Sequence, residues 1–169
     1  LEDLERKLTL GFRGEALASI SSVSKTTFAS NGLLVTLEGE IKPHPMPNGT
    51  QVTVKNLFYN TPARLKFLKT DQTEYKKCLE EIERYALCHP EIKFELIHNG
   101  KQIFNYLSKT KEERIKEVLG QNFADKLIKI FYGSKELKIE GFIGRPELAK
   151  DRTYNQYFLI NGRPISAHY

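Results

Sequence analysis

The sequence predicts a mixed α+β chain on three counts. Asn-Gly dipeptides punctuate strand-like runs at four places, several segments carry apolar residues at helical spacing, and no internal repeat or low-complexity tract is present. Asn-Gly favours the positive-φ turn that closes a hairpin, so the strands are expected to pair antiparallel with their neighbours. Along the chain, residues 14–23 (GEALASISSV) place Ala16, Leu17, Ile20 and Val23 on one helical stripe. Asn31-Gly32 then separates KTTFAS from LLVTLEG. The segment KPHPMPN (42–48), with three prolines, reads as a loop. After Asn48-Gly49, TQVTVKNLF alternates as a half-buried strand does, through Val52, Val54 and Leu57.

The second half is organised in the same way. Residues 72–88 form the clearest helix, with Tyr75, Cys78, Leu79, Ile82, Tyr85 and Ala86 on one face. Asp71 with Glu74 suits a capping box at its start, and Pro90 enforces a stop. Asn99-Gly100 separates KFELIH from KQIFNYL, both of strand character. KEERIKEVLG (111–120) is a third helix, ending at Gly120. LIKIFYG, KELKIEGFIG and TYNQYFLI read as strands, the last running into Asn161-Gly162.

Composition bounds the answer further. With 169 residues, 40% hydrophobic and 28% charged, the chain has room for one domain or pieces of two. Its longest uncharged stretches, 26–37 and 43–54, are twelve residues each, against about 20 apolar residues for a membrane span, so a transmembrane helix is excluded. LEDLERK at the start has no signal-peptide pattern. The sole methionine is Met46, which leads us to expect a fragment of a longer protein. Cys78 and Cys88 lie ten residues apart on one expected helix, roughly 15 Å along its axis, too far for a disulfide. They read as buried thiols of a reducing compartment. Residues 1–107 carry 14 basic and 13 acidic side chains and residues 108–169 carry 12 and 8, so most of the net +5 lies in the last third. That excess suits weak attraction to a polyanion as well as plain solubility. It also marks a seam near 107–111, dividing the chain into expected domains 1–107 and 108–169.

Two segments could carry chemistry. In Gly11-Phe12-Arg13-Gly14-Glu15-Ala16-Leu17, two glycines three apart allow a tight turn that feeds a helix start, where free amides and the dipole favour an anion. Arg13 adds a guanidinium suited to phosphate. On the residues alone, an ordinary helix-entry loop is the favoured reading of the segment. Glu15 reads as a dipole and capping residue rather than a general base. The second segment joins Gly49-Thr50 through a strand to LFYNTPARLKF (57–67). Read structurally, Phe58 and Phe67 are core and Arg64 and Lys66 are solvated charges. Phosphate loops of the G-x-x-x-x-G-K-[ST] and G-x-G-x-x-G kinds are absent, and His44, His89, His98 and His168 have no partners at metal-ligand spacing, so no metal site is expected.

Taken together, GFRGEALASI, the later GT…V…LFYNTPARLKF and FLINGRPI resemble the MutL family of DNA mismatch-repair ATPases, within the GHKL superfamily. The resemblance is strongest at 10–23 and 49–69, fair at 155–165 and weak between 101 and 150. It implies the C-terminal half of a GHKL (Bergerat-type) α/β sandwich, followed by part of a ribosomal-protein-like βαβ transducer domain. It further implies that Gly11, Phe12, Arg13, Gly14, Glu15 and Ala16 end the lid over ATP and lend amides to its phosphates. Thr50 is placed by the same likeness near the adenine end. The Asn-Thr-Pro-Ala-Arg turn at 60–64 is expected to be structural first. Arg163, within FLINGRPI, is the expected DNA-phosphate contact.

The superfamily's E-x-x-x-N-x-x-D-A helix and D-x-G-x-G are not found in these residues. Glu95 and Asn99 share the first spacing, but position 102 is Gln and the pair lies on a strand entering a hairpin, so it is a decoy. No catalytic residue is therefore assigned. ATP and Mg²⁺ are the implied cofactors, held largely by residues of the parent beyond this chain. Implied partners are DNA, a MutS-type mismatch-recognition protein and a second copy of the parent, with no membrane. The implied location is the cytoplasm at the bacterial nucleoid, or the nucleus in a eukaryote. The alternative is a non-enzymatic DNA-binding or scaffold module that uses the basic last third.

Overall fold

Antiparallel pairing between neighbouring strands dominates the computed structural model, which describes residues 15–36, 39–149 and 156–165. The chain divides into two units, Leu1–Glu74 and Tyr75–Tyr169. In the first, helix α1 (Ala16–Ser21) leads into a sheet of β1 (Lys25–Ser30), β2 (Leu33–Thr36), β3 (Ile41–Pro43) and β4 (Thr50–Lys55), in the order β3-β2-β1-β4. Asn31 and Gly32 both take positive φ, 51° and 77°, and close the β1–β2 hairpin as the dipeptide predicts.

Register then sorts the side chains. Phe28 lies opposite both Val35 and Val52, Thr26 opposite Val54, and Val35 opposite Ile41. Since strand side chains alternate, these residues share one apolar face. Much of it is uncovered among the described residues, with Ile41 65% and Val52 46% exposed. The opposite face carries the buried Ala29.

Several expectations shift here. The 14–23 stripe is not buried: Leu17 is 51% exposed, because no described element covers that side of α1. β3 takes Lys42 and Pro43 from the expected loop, which is permitted because an edge strand can spare the missing Pro N–H. β4 ends at Lys55, and Leu57 leaves the ladder because Asn56 and Phe58 adopt positive φ of 52° and 63°. Next comes α2 (Pro62–Phe67), with proline at its start, where the lost N–H had no helical partner. Phe58 is half-buried, but Phe67 is 83% exposed and is not core.

The division between the units falls in the first turn of α3 (Asp71–Cys88). Its start is capped one residue earlier than expected. The Thr70 hydroxyl accepts from the Thr73 amide at 3.4 Å, and the Glu74 carboxylate reaches back to the Lys69 amide at 3.0 Å. On the predicted apolar face, Ala86 is fully buried and Tyr75, Leu79 and Ile82 are half-buried. Cys78 is exposed, contrary to its expected burial. Cys88 is half-buried, and desolvation pushes its thiol up to about 11.

Beyond α3 come the hairpin β5 (Phe94–His98) and β6 (Lys101–Tyr106), then α4 (Lys111–Leu119) and α5 (Gln121–Ala124). A second hairpin, β7 (Leu127–Gly133) with β8 (Lys138–Gly144), is followed by a third, β9 (Phe158–Ile160) with β10 (Arg163–Ile165). Asn99-Gly100 and Asn161-Gly162 turn the first and third of these with positive φ throughout. Glu95 sits in β5 and Asn99 in the turn, consistent with a decoy. Thr110 and Glu113 form a full capping box on α4, a signal the sequence reading passed over. Buried Arg114, on α4, donates to the carbonyls of Ala86 (2.8 Å), Ile92 (2.8 Å) and Leu107 (2.6 Å).

Ion pairs tie α4 to the β7–β8 hairpin. Lys129 meets Glu112 at 2.7 Å, and Glu140 is held between Lys111 and Lys138. Hydrogen bonds from both lysines hold the Glu140 carboxyl down to about 2. A carboxyl depressed on folding contributes stability above its unfolded value, and that contribution is lost as pH falls through the folded value. Its contribution should thus be full above the unfolded value of 4.5 and be lost progressively as pH falls from there toward about 2. Because the site is exposed, the energy involved is small and screened by salt. A carboxyl NMR titration should place the Glu140 midpoint well below that of an ordinary glutamate, and moving Lys111→Ala should return it toward the usual range. A normal midpoint in the unaltered chain would contradict the pairing.

Candidate functional site

Four of the expected lid residues, Gly11, Phe12, Arg13 and Gly14, lie outside the described residues. Glu15 and Ala16 stand at the entrance to α1, both exposed. Glu15 occupies the cap position, yet its side chain makes no capping bond, so the capping role expected for it is not seen. No other acidic side chain lies in the first turn. The leading amides of α1 are thus left without a side-chain acceptor from Glu15, a chemical setting that suits an anion.

The other end of α1 is firmly held. Ser24, 1% exposed, donates to the Ile20 carbonyl at 2.7 Å and shares a 2.7 Å hydrogen bond with the hydroxyl of buried Thr26. The Phe58 amide donates to the Val23 carbonyl at 2.6 Å, and the Asn60 side-chain amide donates to the Ser22 carbonyl at 2.8 Å. Those bonds satisfy carbonyls that a helix end leaves unpaired. They also explain why the chain bends at 56–60: Phe58 must present its amide to Val23 while Asn60 reaches Ser22. The two motif blocks, separate in sequence, are therefore one hydrogen-bonded corner. Sequence reasoning missed Ser24 and Thr26, although two hydroxyls between a helix and a strand are a usable signal for such a junction.

Thr50 opens β4 opposite Ser30. Their hydroxyls lie 3.3 Å apart, and Ser30 also donates to the Gly49 carbonyl at 3.1 Å. Register puts Ser30 and Thr50 on the same face as Phe28, Val52 and Val54. That face thus has a hydroxyl pair at one end and the Ser24–Thr26 corner at the other. The ends are four residues apart along β1, about 14 Å at ~3.4 Å per residue. An apolar wall with few polar groups at its ends is the usual make-up of a small-ligand site.

Arg163 begins β10 in the second unit and is half-buried opposite Ile160. The preceding turn approaches the end of α3, since a Cβ on Gly162 would stand 3.9 Å from the His89 ring. Tyr157, just before β9, has its hydroxyl pushed up, first by burial and then by the Glu83 carboxylate. Arg163 and Thr50 lie in different units. Among the described residues, no group of three His, Cys, Asp or Glu could hold a metal ion, and no helix is long and apolar enough to cross a membrane.

The mixed α/β arrangement of antiparallel strands is that of the GHKL fold, as the known proteins it matches show. The ADP-complexed MutL ATPase domain of Aquifex aeolicus superposes with a TM-score of 0.73 at 32% identity, covering 98% of this chain and 66% of that one. MutL of Chloroherpeton thalassium is 42% identical over 172 residues, covering 95% of this chain and 27% of the relative. MutL of Neisseria meningitidis is 42% identical over 173 residues, with 96% and 26% covered. Residues 115–169 match the family described as DNA mismatch repair protein, C-terminal domain. The chain belongs to the MutL family of DNA mismatch-repair proteins. It spans about a quarter of the length of the curated relatives it matches.

Proposed function

We propose that this chain supplies the lid end and one wall of the ATP site in a MutL-type mismatch-repair ATPase. The observation that carries the reading is the apolar sheet face, closed at one end by the α1 corner and at the other by the Ser30 and Thr50 hydroxyls. Such a face suits the base of a nucleoside triphosphate, near Thr50, while the phosphates belong with the amides ahead of α1, at the opposite end of that helix from the Ser24–Thr26 corner. On this reading Gly11 to Ala16 lend main-chain amides to the phosphates, and Arg13 adds a charged donor. Bound Mg²⁺ would add charge neutralisation at the phosphates, held largely by residues of the parent beyond this chain.

In the parent, ordering of the lid docks the N-terminal parts of two subunits and relays a MutS-type partner's mismatch signal along DNA, in the bacterial cytoplasm. The net positive charge of residues 108–169, with Arg163 among its members, supplies phosphate contacts to that DNA.

This polypeptide by itself is expected neither to hydrolyse ATP nor to bind it tightly, because no E-x-x-x-N helix is present to align water and metal. Steady-state phosphate release should match a protein-free blank. Turnover clearly above that blank would mean that the catalytic group lies within these residues, and the reading would fail.

A further inference from the structure

The connection between β6 and α4 looks like a linker in sequence: it is short and polar, and it coincides with the change in charge balance. In the structure it is crossed by a fully buried guanidinium. Arg114 has 0% exposure, and its two terminal nitrogens reach five main-chain carbonyls. Two belong to Ala86 and His89 at the end of α3, two to Pro90 and Ile92 in the following turn, and one to Leu107 at the end of β6.

Each group has a physical reason to bind a cation. The end of α3 is the negative pole of its dipole, and its last carbonyls have no helical donors. The planar guanidinium can spread five N–H donors over separate acceptors and cannot escape by losing its proton. Glu117, one turn along α4, sets a carboxylate 3.4 Å from Arg114 Nε, and Lys109 holds that carboxylate's other oxygen at 2.7 Å. The rings of Phe94 and Tyr106 lie 5.6 and 5.5 Å from the guanidinium carbon.

We infer that Arg114 is a clamp that locks the end of α3, the β5–β6 hairpin and α4 into one rigid body, so that the polar connection at 107–110 does not act as a hinge. A displacement of α3 is then transmitted to α4 rather than absorbed between them. Nothing in this inference depends on the nucleotide reading. ATP binding could fail entirely and the clamp would still stand.

Native-state hydrogen exchange on the intact chain, followed by mass spectrometry through a series of low urea concentrations, tests it. Peptides covering 84–92 and 104–119 should open together, with protection agreeing to within about threefold at every concentration. Opening of 104–119 about tenfold faster than 84–92 would make the connection a hinge and overturn the clamp. In Arg114→Lys, which keeps the charge but loses the fork, both peptides should exchange about tenfold faster while β1 to β4 are unchanged. Acceleration of one peptide alone, or of neither, would also overturn it. Should that variant fail to fold, the urea series on the unaltered chain decides.

Discussion

Arg114→Ala is expected to cost about 3–5 kcal/mol, the range for removing one partner from a buried charged network. With domain stabilities of about 5–15 kcal/mol, this is enough to leave the second unit largely unfolded at modest urea. The magnitude follows from what stays behind. Five carbonyls lose the Arg114 donor; those of His89 and Pro90 keep the amides of Ile92 and Lys109, but the three shortest bonds, at 2.6–2.8 Å to Ala86, Ile92 and Leu107, are lost, and the Glu117 carboxylate loses its cationic neighbour. Each buried acceptor left without a donor costs about 1–3 kcal/mol, partly recovered where water enters. Arg114→Met should be no better, since filling the volume restores no donor to the carbonyls of Ala86, Ile92 and Leu107. Glu117→Gln should be mild, because it keeps the side chain's shape and Arg114 keeps its five carbonyl acceptors. Urea unfolding followed by circular dichroism gives the comparison. An Arg114→Ala midpoint within about 1 kcal/mol of the unaltered chain would show that the carbonyls find other donors.

Local structure was legible where turn chemistry and periodicity agreed. Asn31-Gly32, Asn99-Gly100 and Asn161-Gly162 each close the hairpin they announce, and β7 covers the strand read as LIKIFYG. Errors arose where a backbone torsion or a tertiary partner overrode the local pattern. Nothing in the letters NLF reveals that Asn56 and Phe58 turn positive in φ, because the cause is the Val23 carbonyl more than thirty residues earlier. Burial was the least legible property. Alternation identifies which residues share a face, but not whether anything covers it. For that reason Ile41, Leu17 and Phe67 are far more exposed than their apolar character suggests.

Arg114 was hidden for a different reason. In KEERIKEVLG a basic residue among five other charges reads as a solvated face, yet its position continues the stripe of Ile115, Val118 and Leu119. A charge on the apolar side of an amphipathic helix, with an acid three residues on, was the available signal.

Of the site, sequence patterns gave the lid and Thr50 as separate motifs. The Asn60-to-Ser22 bond that joins the end of α1 to the second block emerged only in three dimensions.

Replacing both lid glycines, Gly11→Val with Gly14→Val, in a longer MutL-family protein that carries this chain is expected to weaken ATP binding about a hundredfold. Each charge-assisted bond from an amide to a phosphate oxygen is worth about 1.5–3 kcal/mol, so losing even two of the weaker kind removes about 3 kcal/mol. Valine acts through the backbone: its branched Cβ blocks left-handed torsions and holds the chain away from a ligand that glycine lets approach. The paired control is Asn60→Ala. It removes one exposed hydrogen bond to the Ser22 carbonyl and should cost about 1 kcal/mol of stability, with at most a few-fold loss in affinity. Titration with a fluorescent ATP analogue separates the two. If the glycine pair binds nucleotide as tightly as the unaltered protein, main-chain amides of this turn do not hold the phosphates. The proposed ATP site must then be built from other residues, even though the family assignment, which rests on whole-chain similarity, is untouched.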